Sequence, residues 1–385
     1  MFADRTNWDL TANRLGKALA AHKASGKQLL DLTASNPTEC GFAYDQEKIL
    51  SALSNPAALG YEPNARGMEV ARQAVAACYG ERGVRVSAEN IILTTSTSEA
   101  YSFAFRTLCN PSDEVLIPEP SYPLFDFLAD IQDVRLVRYP LVYDHGWQIH
   151  LDALERAITE RTRAVIVVNP NNPTGSFVKR GEVEVLNRIC SAREMAIIAD
   201  EVFLDFSLED RTKASFAGNT GALSLTMSGL SKVCGLPQMK MAWLVASGPD
   251  PLKQDAMARL EVIADTYLSV SAPVQLATPA FLAGGRNFRA QVQARVKRNL
   301  AELDRQLALQ EACERLKVEG GWYAALRVPA TRSDEDLAIG LLDSHGVYVH
   351  PGHFYDFTGN GFLIVSLITS EQVFADGVGR ILSMF

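Results

Sequence analysis

The sequence predicts an α/β chain in two parts: a large domain on a mostly parallel, seven-stranded sheet, and a smaller α+β domain after it. Three observations predict it. From about residue 90, short β-branched runs alternate with longer amphipathic stretches, the pattern of repeated βαβ units. Most of the seven runs lack strict polar–apolar alternation, so both faces of their sheet should be covered. Beyond about residue 286 the rhythm changes to a long helix followed by short strands of its own. A chain of 385 residues, 47% of them hydrophobic, is long enough to fill two cores.

In chain order, the first 40 residues predict a helix over 10–22 and a short strand in "QLLDLTAS", a segment that should pack with the C-terminal domain. The large domain, residues 41–275, carries the strand-like runs "IILTT" (91–95), "EVLIP" (114–118), "VRLVRYPL" (134–141), "RAVIVVN" (163–169), "MAIIAD" (195–200), "LSLTMS" (223–228) and "MAWLVAS" (241–247). Helical patterns fall between several of them, at 97–109, 151–159 and 181–194. Residues 276–385 predict the small domain: a helix over 286–315, "VEGGWYAALRVP" (318–329), a helix near 333–344, "GVYVHPG" (346–352) and "GFLIVSLI" (361–368).

Composition excludes several classes. A net charge of −8 with no Lys/Arg block argues against a nucleic-acid partner. No apolar run approaches the ~18 residues a bilayer span needs. The opening "MFADRTNWDL" has no basic stretch leading into an apolar one, so no signal peptide is expected. Six scattered cysteines with no CxxC pair fit reduced thiols in a cytoplasmic compartment.

The chemistry-bearing residues sit where strands end. Asp200 closes "MAIIAD", Asn172 lies in "NPNNPTG", Tyr122 follows "EVLIPEP", "STSEA" (96–100) opens a helix, and Lys232 follows "LSLTMS" within "SGLSK". In a parallel sheet these loops open on one side, where ligands collect. Singly, each has a plainer reading: a turn aspartate, a Pro/Asn turn, a core aromatic, a helix cap, a lysine whose stem covers apolar surface. In series they point to one cleft holding a carboxylate, an amide, an amine, a ring and a helix N-terminus.

In that order and spacing, "NPNNPTG", "DEVF" and "SGLSK" resemble the fold-type I pyridoxal-phosphate enzymes, specifically the class I/II aminotransferases, from "YEPNARGMEVAR" (61–72) to the last strand. The resemblance implies a mixed, mostly parallel sheet and the cofactor pyridoxal 5'-phosphate. It makes Lys232 the residue that forms an imine with the cofactor aldehyde and then moves a proton as general acid–base. Burial suits this, because desolvation favours the neutral, nucleophilic amine. Asp200 matches the partner of the cofactor ring nitrogen, Asn172 the contact to its phenolic oxygen, and Tyr122 the ring that stacks on it. Ser96, Thr97 and Ser98 match the phosphate loop, with Ser231 beside the lysine. Tyr61 matches a phosphate contact from a second subunit, which implies a homodimer with shared sites. Tyr267, Ser269 and Ser271 match a region supplying specificity residues from that subunit.

Four positions depart from the family. Lys240 stands where an arginine usually binds phosphate, Gly229 where a serine is common, and Phe203 where a tyrosine often donates to the phenolic oxygen. The strand that usually carries an arginine for the substrate carboxylate has Ile364 instead, so either another cation, with Arg66 the nearest motif-linked candidate, takes the carboxylate, or the natural substrate presents none at that point. The implied reaction is amino transfer from an amino acid or amine to a keto acid. β-Elimination (a C–S lyase) or cyclisation begins on the same scaffold and is not separated from it by these motifs. A cofactor-binding regulator lacks space for a DNA-binding domain before residue 30, and an SxxK acyl-enzyme needs serine at 229. His345, His350 and His353 have no metal-site spacing, so no metal site is expected; of the three, His353 is the one expected near the cleft.

Overall fold

The computed structural model describes residues 1–209 and 214–385. Its strands, in chain order, are β1 (Leu30–Asp31); β2 (Ile91–Thr94), β3 (Glu114–Glu119), β4 (Arg135–Tyr143), β5 (Trp147–Ile149), β6 (Thr162–Val168), β7 (Ala196–Asp200), β8 (Ser224–Gly229) and β9 (Ala242–Ser247); then β10 (Glu314–Arg315), β11 (Tyr323–Arg327), β12 (Val347–Tyr348), β13 (His350–Pro351) and β14 (Phe362–Ser366). β2 to β9 form one eight-stranded sheet in the order β2-β9-β8-β7-β6-β3-β4-β5. β3, β4, β6, β7 and β8 run parallel, while β9 is antiparallel to both β8 and β2, and β5 returns antiparallel along β4.

The sheet therefore has eight strands, not the seven expected. The extra one, β5, is three residues long and folds back through His145 and Gly146, both at positive φ, so its sequence reads as turn rather than strand. The missing alternation has its expected cause. On β6, Ala164, Ile166 and Val168 enter one apolar cluster with the helices Thr97–Leu108 and Asp250–Tyr267, while Val165 and Val167 enter another with the helix Arg180–Ala192. Helices cover both faces, and a strand so placed is apolar throughout.

β10, β11, β14 and β13 form a second, antiparallel sheet, and β1 pairs in parallel with β12. The N-terminal helix runs Arg14–Ala24, with Asn13 as its cap, and begins four residues later than the apolar pattern suggests. The long helix differs more. It spans Ala272–Leu307, starting well before 286 and ending before 315. Pro273 is tolerated in its first turn, where its missing N–H has no partner to lose. Pro279, Gly284 and Gly285 inside it read as breakers, yet Gly285 has a packing reason: a Cβ there would lie 2.7 Å from Cys234 Sγ and 3.2 Å from the Val233 carbonyl. The helix thus presses directly on the turn that carries Lys232.

Candidate active site

The carboxyl ends of β2, β3, β6, β7 and β8 open on one side of the large sheet. Asp200 is the last residue of β7, and the residues after β8 form a single helical turn, Leu230–Val233, that holds Lys232 half-buried. The Lys232 Nζ donates to the Ser35 carbonyl at 3.2 Å and lies 4.8 Å from the Trp322 ring centroid and 5.7 Å from that of Phe203. Loss of solvent lowers its ammonium to about 8, against the opposing pull of Asp200 and Cys40. That leaves roughly a tenth as free amine at pH 7, far more than for an exposed lysine.

Asp200 is buried. Its Oδ1 accepts the Val202 N–H at 3.1 Å and its Oδ2 the Tyr101 hydroxyl at 3.2 Å. Burial still raises the carboxyl to about 6, with those bonds and Lys232 restoring only part of the loss. A carboxyl raised on folding contributes stability that is complete below its unfolded value near 4 and gone above its folded value. The unliganded protein should therefore lose stability between about pH 4 and 6, and Asp200→Asn should remove a part of that loss on the order of 3 kcal/mol. Neighbouring Glu201, raised by burial to about 7, contributes equally to both proteins. Denaturant titrations at pH 4 and pH 6.5 check this; equal losses in both would contradict the buried carboxylate.

Ser96 caps the helix Thr97–Leu108. Its Oγ accepts the Glu99 N–H at 3.1 Å, while Glu99 Oε2 accepts the Thr95 N–H at 2.7 Å. The cap occupies a lone pair of Ser96 and leaves its own proton free to donate, beside Thr97 and Ser98 in the first turn. Ser269, of the expected specificity region, bonds Glu99 Oε1 at 2.8 Å, and Tyr267 meets Arg106.

Among the described residues, Ser121 Oγ, Asn172 Oδ1 and Ser228 Oγ are buried polar atoms at the sheet's end with no hydrogen-bond partner. An unpaired buried acceptor or hydroxyl is costly unless a ligand completes it. Gly229 has a steric reason, since a Cβ there would stand 2.8 Å from the Ala242 Cβ. The serine expected by resemblance does not fit this backbone, and the unpaired hydroxyl one residue earlier, at Ser228, stands near its place. Tyr122, 40% exposed, lies at the mouth, its phenol raised by burial and further by Asp200. Phe203 packs edge-on to Trp322 at 5.2 Å and offers no hydroxyl.

Other expectations land elsewhere. Tyr61 is 82% exposed and Lys240 is exposed at φ 49°. Ser231 is half-buried beside Lys232. Arg66 is not a spare cation: it bonds Glu89 at 3.1 Å and Glu261 at 2.6 Å. His353 is exposed, while His345 and His350 are half-buried. Sequence reasoning missed Tyr101, Trp322, Ser35 and Tyr355, which come from four separate segments and carry no local motif.

The family aminotransferase class I and II matches residues 7–375. The glutamate-pyruvate aminotransferase AlaA of Escherichia coli (strain K12) is 31% identical over 262 residues, 67% of this chain and 64% of that protein, so the match spans less than two thirds of its length. The alanine aminotransferase of Mycobacterium bovis is 28% identical over 368 residues, 92% of this chain and 85% of its own. Among solved structures, an alanine aminotransferase from Pyrococcus furiosus superposes with a TM-score of 0.90 at 21% identity, covering 100% of this chain and 99% of that one. A Thermus thermophilus aspartate aminotransferase mutant reaches 0.87 at 22% identity, with both chains fully covered. The chain belongs to the class I and II aminotransferase family.

Proposed function

We propose that the chain is a pyridoxal-phosphate-dependent aminotransferase that transfers an amino group from an amino acid or amine to a keto acid through Lys232. The observation that carries this reading is the pair at the ends of adjacent strands: a lysine lowered to about 8 and a buried carboxyl raised to about 6, each acting on the other. The residues around them fit the cofactor that the family uses. Asp200 would hold a proton on the ring nitrogen, a cationic partner that also relieves its own burial. Asn172 and Ser228, unpartnered and buried, would complete their hydrogen bonds on it. Tyr122 offers a ring face; Ser96, Thr97, Ser98, Ser231 and Lys240 would receive the phosphate, together with Tyr61 from a second copy in a homodimer. When bound, pyridoxal phosphate supplies an aldehyde for the amino group and a protonated ring that accepts the electron pair left at the substrate Cα.

Lys232 supplies the rest. As a neutral amine its Nζ takes the Cα proton, and as an ammonium it returns one, the work of a base whose pKa lies near the operating pH. The Ser35 carbonyl and the rings of Trp322 and Phe203 hold that nitrogen in place between transfers. All six cysteines are free, in keeping with a reducing, cytoplasmic setting. No described helix is long and apolar enough to cross a membrane.

The reading is tested by borohydride reduction of the cofactor-loaded protein. The cofactor should be fixed to Lys232, and a labelled peptide outside residues 226–243 would overturn the assignment. A panel of amines and amino acids, with glutamate and alanine included because the relatives are named for them, should then contain a donor that leaves pyridoxamine phosphate. Keto acid with free ammonia would indicate a lyase instead.

Phe203 gives a second test. A hydroxyl donor there would hydrogen-bond the cofactor's phenolic oxygen and favour its anionic form, which Phe203 cannot do. Phe203→Tyr should therefore lower the pKa of the bound cofactor in a spectroscopic titration. An unchanged or higher value contradicts the placement of position 203.

A further inference from the structure

Around Ile364 the small sheet presents uncharged side chains, and the charges further along the same face, Arg327 and Glu314, pair with each other at 2.8 Å. Residues directly opposite one another on antiparallel strands project from the same face. The register sets Ile364 on β14 between Ala325 and His350, and sets Ser366 opposite Tyr323. The Ser366 hydroxyl donates to the Ala34 carbonyl, next to Ser35, whose carbonyl holds Lys232. Ile364 is buried, and His350 beside it is half-buried with Nδ1 3.0 Å from the Tyr355 hydroxyl. The Tyr355 carbonyl in turn accepts the N–H of Ser121, the residue before Tyr122, at 2.9 Å.

The nearby arginines are spent. Arg66 pairs with Glu89 and Glu261, Arg138 with Asp126 and Asp356, and Arg295 bonds the carbonyls of Cys40, Ile368 and Thr369. What remains beside Ile364 is a donor without charge. The Tyr355 hydroxyl can donate to Nδ1, and in that tautomer the imidazole proton sits on Nε2.

We propose that His350, oriented by Tyr355, is the specificity-determining donor for the substituent on the reacting carbon of the amino donor, and that it selects a neutral oxygen acceptor, such as a carboxamide, over a carboxylate. This rests on the aminotransferase reading. A carboxylate buried against Ile364 would lack a counter-charge, whereas a carbonyl oxygen asks only for a hydrogen bond. Burial holds the imidazole below its usual pKa, with the Asp31 carboxylate of β1 pulling the other way, the Tyr355 hydroxyl on Nδ1 and the Tyr348 ring edge-on to it. It therefore stays neutral at pH 7.

The test uses the cofactor-loaded enzyme with L-alaninamide and L-alanine, following loss of the cofactor band in a single half-reaction. It also uses propionamide and propionate, which carry no amino group, as ligands in calorimetry. Alaninamide should be favoured, and propionamide should bind more tightly, each by roughly tenfold or more, the worth of one well-made hydrogen bond. His350→Phe should bring both ratios within about twofold, chiefly by raising the half-saturating concentration. His350→Gln, which keeps a donor, should restore most of the preference. Equal or tighter binding of propionate, or ratios unmoved by His350→Phe, overturns the assignment. Failure of both amines to discharge the cofactor, with propionamide still bound through His350, overturns the aminotransferase reading and leaves this subsite standing.

Discussion

Lys232→Ala is expected to retain pyridoxal phosphate and to lose turnover by several orders of magnitude. Two functions vanish together. The amine that attaches the cofactor is gone, and so is the base that moves the Cα proton, a contribution of roughly 10²–10⁴ on its own. Cofactor retention should persist because the groups proposed to hold the ring and phosphate come from other elements: Asp200 on β7, the helix that opens at Thr97, and the buried Asn172. The fold should persist as well. Lys232 is half-buried and donates one hydrogen bond, so its removal leaves Trp322 and Phe203 packed on each other at 5.2 Å. Cofactor content after dialysis, the thermal midpoint and kcat measured on one preparation check all three statements. Activity above about one per cent of wild type would place the proton transfer on another residue.

The large sheet was legible because its strands are apolar on both faces and end in chemistry. The lysine, the aspartate and the asparagine each sit within a residue or a few of a strand's end, so the loops that hold them could be placed from β-branched runs alone. β5 was not legible, since three residues after a tight turn leave no periodicity to read. The start of the long helix was masked by Pro273 and Pro279, whose cost is absorbed by position in one case and by packing in the other. The residues that touch the lysine and the aspartate were invisible for a different reason. Tyr101 reaches Asp200 from within a helix whose Phe103 and Phe105 are ordinary core, and nothing local separates the three. Nothing local separates His350 from His353 either: the first pairs with Ile364 across β13 and β14, and the second stands exposed in the turn that follows.

Glutamate and aspartate are expected to be poor amino donors, with kcat/KM below the ~10⁴ M⁻¹s⁻¹ at which ordinary enzymes begin. A bidentate arginine–carboxylate contact is worth roughly 1.5–3 kcal/mol, or about ten- to a hundredfold in affinity. Position 364 forgoes it, and a carboxylate buried against isoleucine would add a desolvation cost of several kcal/mol. Slippage of the sequence by a residue or two does not rescue the contact, because "GFLIVSLI" contains no arginine or lysine. Nor does Arg66, whose guanidinium is already held by Glu89 and Glu261. Ile364→Arg tests the point from the other side. Ala325, directly across the strand pair, is small, so a guanidinium entering from position 364 has its easiest path along that side. The variant should raise kcat/KM for both acids by about ten- to a hundredfold while losing some stability, the cost of a charge where an aliphatic group was buried. Steady-state kinetics on the two proteins, with the thermal midpoint recorded for each, separates the terms. Efficient turnover of either acid by the unaltered chain would show that its carboxylate is received somewhere other than this face of the small sheet.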